Sequence, residues 1–213
     1  MQFVVLSSSR GTTFQAILDR IADGSLTAQF LGLIADNPDR GCIEKAKKAG
    51  VPVIIVEPKK DEPREEYDKR LHKAIQSLQS QVASRKSQVA SRQSPVASRK
   101  SPVIACIGWF RIISPWFIGQ WKNQILNVHP SLLPKYPGLH AHEEVLAAKE
   151  KESGMTIHIV DEGLDTGPVL MQKTCPVFPN DTPDTLKARV QELEKEWYPK
   201  VLEMIEDGKL SLS

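Results

Sequence analysis

Val- and Ile-rich runs alternate with stretches of helical periodicity along most of this chain, and that order limits its folds more than any other property. Gln2 to Ser7 reads as a strand, and Thr12 to Asp23 as an amphipathic helix with Phe14, Ile17, Leu18 and Ile21 on one face. Gln29 to Ala35 is a second strand, closed by the turn cluster Asp36-Asn-Pro-Asp39. Gly41 to Ala49 is helical and stops at Gly50, a residue suited to the left-handed position after a helix. Val51 to Val56 is a third strand, apolar enough to be buried on both faces. Pro63 to Leu78 is a helix with Leu71, Ile75 and Leu78 on one side. Pro102 to Ile107, Ile125 to Val128, Met155 to Val160 and Val169 to Val177 are further strands. Thr182 to Asp207 forms a closing helix capped by Asp181 or Thr182. A β-α-β-α-β-α-β order predicts an α/β, Rossmann-like, doubly wound and mostly parallel sheet with helices on both faces. At 213 residues the chain most simply makes one domain of this kind.

One segment breaks the pattern. Gln81-Val-Ala-Ser-Arg-Lys-Ser87 is repeated as Gln88-Val-Ala-Ser-Arg-Gln-Ser94 and Pro95-Val-Ala-Ser-Arg-Lys-Ser101. The period of seven suggests a coiled coil, but the apolar residues are adjacent instead of at a and d spacing. Pro95 and Pro102 interrupt a helix, and so little apolar surface does not offset the entropy of ordering. An exposed or disordered insertion over 81–101 is expected, a basic arm for a polyanion being the alternative. Removing the repeat's five basic residues leaves 23 against 26 acidic ones, so the body is slightly acidic and nucleic acid is not an expected partner.

No apolar run is long enough to cross a bilayer, and Met1-Gln-Phe-Val-Val-Leu6 enters a strand pattern with no basic leader. Cys42, Cys106 and Cys175 are odd in number and lack metal-ligand spacing. A cytoplasmic protein with inert thiols and no metal is expected.

The chemistry concentrates in Asn127-Val-His-Pro-Ser-Leu-Leu-Pro-Lys-Tyr-Pro137 and in Val160-Asp-Glu-Gly-Leu-Asp-Thr-Gly167. Asn127 and His129, two residues apart at a strand end, project to the same side. They offer a hydrogen-bond donor and a proton-transfer group, and Asp165 is a carboxylate able to join them. A second feature is the turn Ser7-Ser-Ser-Arg-Gly-Thr-Thr13, which leads into the first helix. Backbone N–H groups at a helix N-terminus attract anions, and Arg10 adds charge. The turn is neither GxGxxG nor a Walker A loop, which disfavours NAD and ATP and leaves a single phosphate on a small substrate.

With Gly108-Trp-Phe-Arg-Ile-Ile-Ser-Pro115, Asn127-x-His129-Pro-Ser-Leu-Leu-Pro134 and Leu164-Asp165-x-Gly-Pro168 in this order, the chain resembles the folate-dependent formyltransferase family everywhere outside the repeat. Lys135-Tyr-Pro-Gly-Leu-His-Ala-His142 is similar to the branch acting on glycinamide ribonucleotide. The branch acting on methionyl-tRNA typically has an Arg-Trp-Arg-Gly-Ala-Ala type run there and needs a C-terminal domain for which this chain lacks room. The resemblance implies transfer of the formyl group of 10-formyltetrahydrofolate, a co-substrate, to the amine of 5′-phosphoribosylglycinamide. Asn127 would stabilise the oxyanion and His129 act as general acid or proton shuttle. Asp165 would hold His129, favour its imidazolium form and order a water.

By the same resemblance, Gly11, Thr12 and Thr13 would bind the substrate phosphate, and Gln191 and Glu194 would face the ribonucleotide. Arg64, Phe110, Arg111, Ile112 and Ile113, together with Asn127, would meet the folate. Ser9-Arg10 departs from the glycine and short polar residue common in that loop. His140, His142 and His158 are expected to supply supporting hydrogen bonds. A sibling enzyme using another amine, such as an amino-sugar nucleotide, and a non-catalytic ligand-binding relative stay open as alternatives. Small-molecule substrates, no membrane, and a monomer or homodimer complete the expectation.

Overall fold

A computed structural model of the chain describes residues 1–89 and 101–212. The elements follow one another as β1 (Gln2–Ser7), α1 (Thr12–Ala22), β2 (Gln29–Ala35), α2 (Gly41–Lys48), β3 (Val53–Ile55) and α3 (Arg64–Val89). They continue with β4 (Val103–Cys106), α4 (Pro115–Gln120), β5 (Ile125–His129), α5 (Ala141–Ala147), β6 (Glu152–Ile159), β7 (Val169–Pro176) and α6 (Pro183–Glu206). The strands form one seven-stranded sheet in the order β3-β2-β1-β4-β5-β6-β7. Pairings from β3 through β5 are parallel, whereas β5 with β6 and β6 with β7 are antiparallel. The expected mostly parallel, doubly wound sheet is therefore present.

Alternation of side chains along β1 builds two cores. Phe3 and Val5 face a layer made by Phe14 and Ile17 of α1, Cys42 of α2, and Leu186, Val190 and Leu202 of α6. Val4 and Leu6 face Tyr67, Leu71, Ile75 and Leu78 of α3 with Phe117 and Trp121 around α4. Full burial of each large apolar side chain in these layers contributes about 1.5–3 kcal/mol. Helix starts are chemically marked: Ser114 Oγ accepts from Phe117 N ahead of Pro115, and Thr182, not Asp181, caps α6 in a reciprocal pair with Thr185.

Two expectations change. Val51–Val56 is not a strand buried on both faces: β3 is three residues at the sheet edge, and Ile55 is exposed. Local sequence identifies an apolar run, but the strand order decides how many neighbours cover it. The helix expected to end at Leu78 continues to Val89, so the first repeat unit is helical. Leu71, Ile75 and Leu78 anchor its earlier turns, after which each added residue gains a hydrogen bond, and no proline intervenes before Pro95. Val82 rests against the second core. Residues 90–100, which carry the rest of the expected insertion, lie outside the described residues.

The chain crosses from one side of β1 to the other between β3 and β4, which places a crevice beyond the carboxyl ends of β1 and β4. The two loops bordering it are joined where Ser8 N donates to Gly108 O at 2.9 Å. No helix among the described residues is long and apolar enough to cross a membrane.

Candidate active site

At the end of β5, Asn127 and His129 turn toward one carboxylate. His129 Nδ1 is 3.2 Å from Asp165 Oδ2, and Asn127 Nδ2 donates to Asp165 Oδ1 at 3.4 Å. The antiparallel register sets His158 of β6 opposite Asn127. His158 Nε2 lies 3.2 Å from Asn127 Nδ2 and 3.4 Å from Asp165 Oδ1. Its Nδ1 carries the hydrogen that meets Ile159 O at 3.0 Å, which leaves Nε2 to face the Asn127 amide and the Asp165 carboxylate. His158 thus makes the supporting contact expected of it.

Asp165 reaches this position from the 160–168 loop, in a left-handed conformation (φ 54°) rarely adopted by a residue with a side chain. Asp161 Oδ1 shapes the loop by accepting from Gly163 N and Thr166 Oγ1 at 3.1 and 2.8 Å. Gly167 closes it against β6, where an added Cβ would lie 1.8 Å from Ile159 O. Gly138 N donates to Asp165 Oδ2 at 2.9 Å. Burial alone would raise the Asp165 pKa. The His158 contact, the Gly138 N–H and the positive potential of both histidines outweigh it and hold the carboxyl below its ordinary 3.8. Asp165 is ionised across the neutral range.

His129 is buried, and its Nε2 is 2.7 Å from the Tyr136 carbonyl. Both ring nitrogens thus face oxygen acceptors, an arrangement the imidazolium fills with two N–H donors. Asn127, by contrast, keeps part of its surface open. His142 is half-buried near His129. Its pKa is pushed down by burial, with Lys187 and His129 adding to the fall and Glu143 opposing it. His140 is exposed at the start of α5. No group of three or more His, Cys, Asp or Glu among the described residues is arranged to hold a metal ion.

On the other side of the crevice, α1 begins after Gly11, whose left-handed conformation (φ 80°) and 2.9 Å clearance to Cys42 exclude a side chain. Its N–H is engaged by Ser9 Oγ at 3.1 Å, which is also 2.9 Å from Ser7 Oγ. The Ser9 departure therefore occupies one donor assigned to a phosphate, and the first-turn N–H groups of Thr12 and Thr13 remain. Thr13 Oγ1 donates to Glu194 Oε2 at 2.9 Å, uniting two of the expected ribonucleotide residues, with half-buried Gln191 three residues before Glu194 on α6. Glu194 keeps some exposed surface, yet its carboxyl sits among dense neighbours. Burial pushes its pKa up to about 7 against the opposing Thr13 bond and Lys187 charge.

Four of the expected folate residues, Phe110 to Ile113, share the segment between β4 and α4 that rims the crevice. Phe110 and Ile112 are 60% and 62% exposed, an apolar surface open to a ligand, while Ile113 turns inward against the second core. Arg64 is exposed at the start of α3. The Arg111 guanidinium stacks 4.1 Å over the Tyr67 ring. Sequence reasoning missed what supports this rim: Tyr67 Oη donates to Val56 O at 2.9 Å, and buried Asp68 accepts from Ser114 N at 2.7 Å. The signal was there, because Asp68 lies three residues before Leu71 on the apolar side of α3, where a carboxylate requires a partner.

A family model described as formyl transferase matches residues 1–202. The chain is 33% identical over 212 residues to the phosphoribosylglycinamide formyltransferase of Escherichia coli strain K12, covering 100% of this chain and 90% of that protein. It is also 33% identical to the trifunctional purine biosynthetic protein adenosine-3 of Drosophila melanogaster, of which it spans 14% while 98% of this chain is covered. Among solved structures, glycinamide ribonucleotide transformylase 1 from Symbiobacterium toebii superposes with a TM-score of 0.86 at 29% identity, covering 100% of this chain and 91% of that one.

Proposed function

This chain belongs to the formyl transferase family, and we propose that it moves the formyl group of 10-formyltetrahydrofolate to the amine of 5′-phosphoribosylglycinamide in purine biosynthesis. The observation that carries this reading is the convergence of Asn127, His129 and His158 on the Asp165 carboxylate beside the crevice. The names of its full-length relatives supply the acceptor.

In this reading the amine nitrogen attacks the formyl carbon, the new C–N bond forms, and the carbonyl oxygen becomes an oxyanion. Asn127 Nδ2, whose 3.4 Å contact to Asp165 is the longer of its two, turns to donate to that oxygen, a contribution of about 3 kcal/mol. Collapse breaks the bond from carbon to N10 of the folate. The N10 nitrogen takes a proton delivered by the His129 imidazolium, and the proton lost by the amine restores the ring. Asp165 stabilises the imidazolium and orders the relaying water. The phosphate is held at the start of α1, the ribose by Glu194 and Gln191, and the folate against Phe110, Ile112, Arg64 and Arg111. Three free, buried cysteines are in keeping with a reducing cytoplasm.

The test is an acceptor comparison with purified protein and 10-formyltetrahydrofolate, following tetrahydrofolate release. Turnover with 5′-phosphoribosylglycinamide and none with amino-sugar nucleotides is expected. The reverse pattern would replace the proposed acceptor.

A further inference from the structure

We propose that Tyr136, clasped by Glu150, is a positioning residue that determines which ring nitrogen of His129 exchanges its proton. The proposal rests on the formyl-transfer reading and deepens it. Tyr136 has a left-handed backbone (φ 56°), a conformation that is strained for a residue with a Cβ. Something must hold it there. Packing alone does not, because the side chain rests against the first core yet borders a cavity of about 100 Å³ lined also by Val145, Glu150 and Ser153. Hydrogen bonds do: Tyr136 Oη donates to Glu150 Oε1 at 2.8 Å, and Lys135 Nζ meets the same oxygen at 2.8 Å. From the other side, Ser131 Oγ donates to Lys135 O at 2.6 Å and to Tyr136 O at 3.2 Å.

This clasp aims the Tyr136 carbonyl at His129 Nε2, 2.7 Å away. A carbonyl only accepts, so Nε2 retains its hydrogen in both the charged and the neutral ring. The proton that comes and goes is then the one on Nδ1, which faces Asp165 at 3.2 Å. A ring that has given up this proton turns a lone pair toward the carboxylate, which favours prompt reprotonation between turnovers. Without the clasp the ring can rotate or exchange tautomers, and a fraction of molecules present the wrong nitrogen. The Tyr136 hydroxyl, which in the sequence belongs to the run pointing to the acceptor, thereby serves proton delivery.

Two variants, Tyr136→Phe and Glu150→Ala, break the clasp from opposite ends. In protein labelled with 15N-histidine, the His129 ring N–H signal is identified by its loss in His129→Gln. It is expected to exchange slowly with solvent in the unaltered protein and about tenfold faster in both variants. In steady state, kcat falls about fivefold to tenfold while KM for both substrates stays within about twofold. An unprotected ring signal in the unaltered protein, unchanged exchange in both variants, or a loss confined to KM would overturn the proposal. Absence of turnover by the unaltered protein would instead refute formyl transfer, and the ring exchange would still decide the positioning role.

Discussion

His129 Nδ1 stands 3.2 Å from Asp165 Oδ2, and that same oxygen takes the Gly138 N–H at 2.9 Å. One carboxylate therefore ties the end of β5, the segment before α5 and the loop between β6 and β7 into a single arrangement.

Replacing Asp165 by Asn keeps its size but removes the charge that balances the imidazolium. We expect kcat to fall on the order of 100-fold or more, with smaller changes in KM. The folded pKa of Asp165 is lowered, so its contribution to stability is complete above 3.8 and is lost as pH falls through the lowered value. Acid denaturation of Asp165→Asn should lack that component.

Glu194 has the opposite sign. Its pKa is raised to about 7, so the folded state binds its proton more tightly than the unfolded one. Stability from this group declines as pH rises from 4.5 to about 7 and is flat above. Glu194→Gln keeps an acceptor for Thr13 and removes the decline. At pH 8 and without ligand it should be more stable by on the order of 1–2 kcal/mol, reduced from the full shift by the residue's partial exposure. Thermal melts at pH 5 and pH 8 check this.

Asp68→Ala leaves the buried Ser114 N–H without its partner, a loss of about 1–3 kcal/mol. Because the loop it holds carries Phe110 and Arg111, KM for the folate should rise several-fold while KM for the ribonucleotide is unchanged. Steady-state kinetics with each substrate varied in turn separates the two.

Deleting residues 81–101 joins α3 to the amino end of β4, opposite the crevice. Turnover is expected to stay within about twofold, since loop entropy changes slowly with length. A small drop in melting temperature should follow from losing the Val82 contact.

The parts of this architecture legible in the sequence are those carried by local periodicity. Asn127 and His129 share a side because strand side chains alternate, and α1 follows from Phe14, Ile17, Leu18 and Ile21. What depended on distant pairing was hidden. Only the antiparallel β5–β6 register puts His158 opposite Asn127, and only the strand order makes β3 an edge. The six-residue α4 and seven-residue α5 are too short to show a period. Tyr136 acts on His129 through a backbone carbonyl, which no side-chain pattern announces.

The most direct test is tetrahydrofolate release from 10-formyltetrahydrofolate and 5′-phosphoribosylglycinamide by the unaltered protein and by His129→Ala, each shown to be folded. The account predicts turnover by the first and a loss of about 10²–10⁴ in kcat for the second. Near-normal turnover by His129→Ala would contradict it.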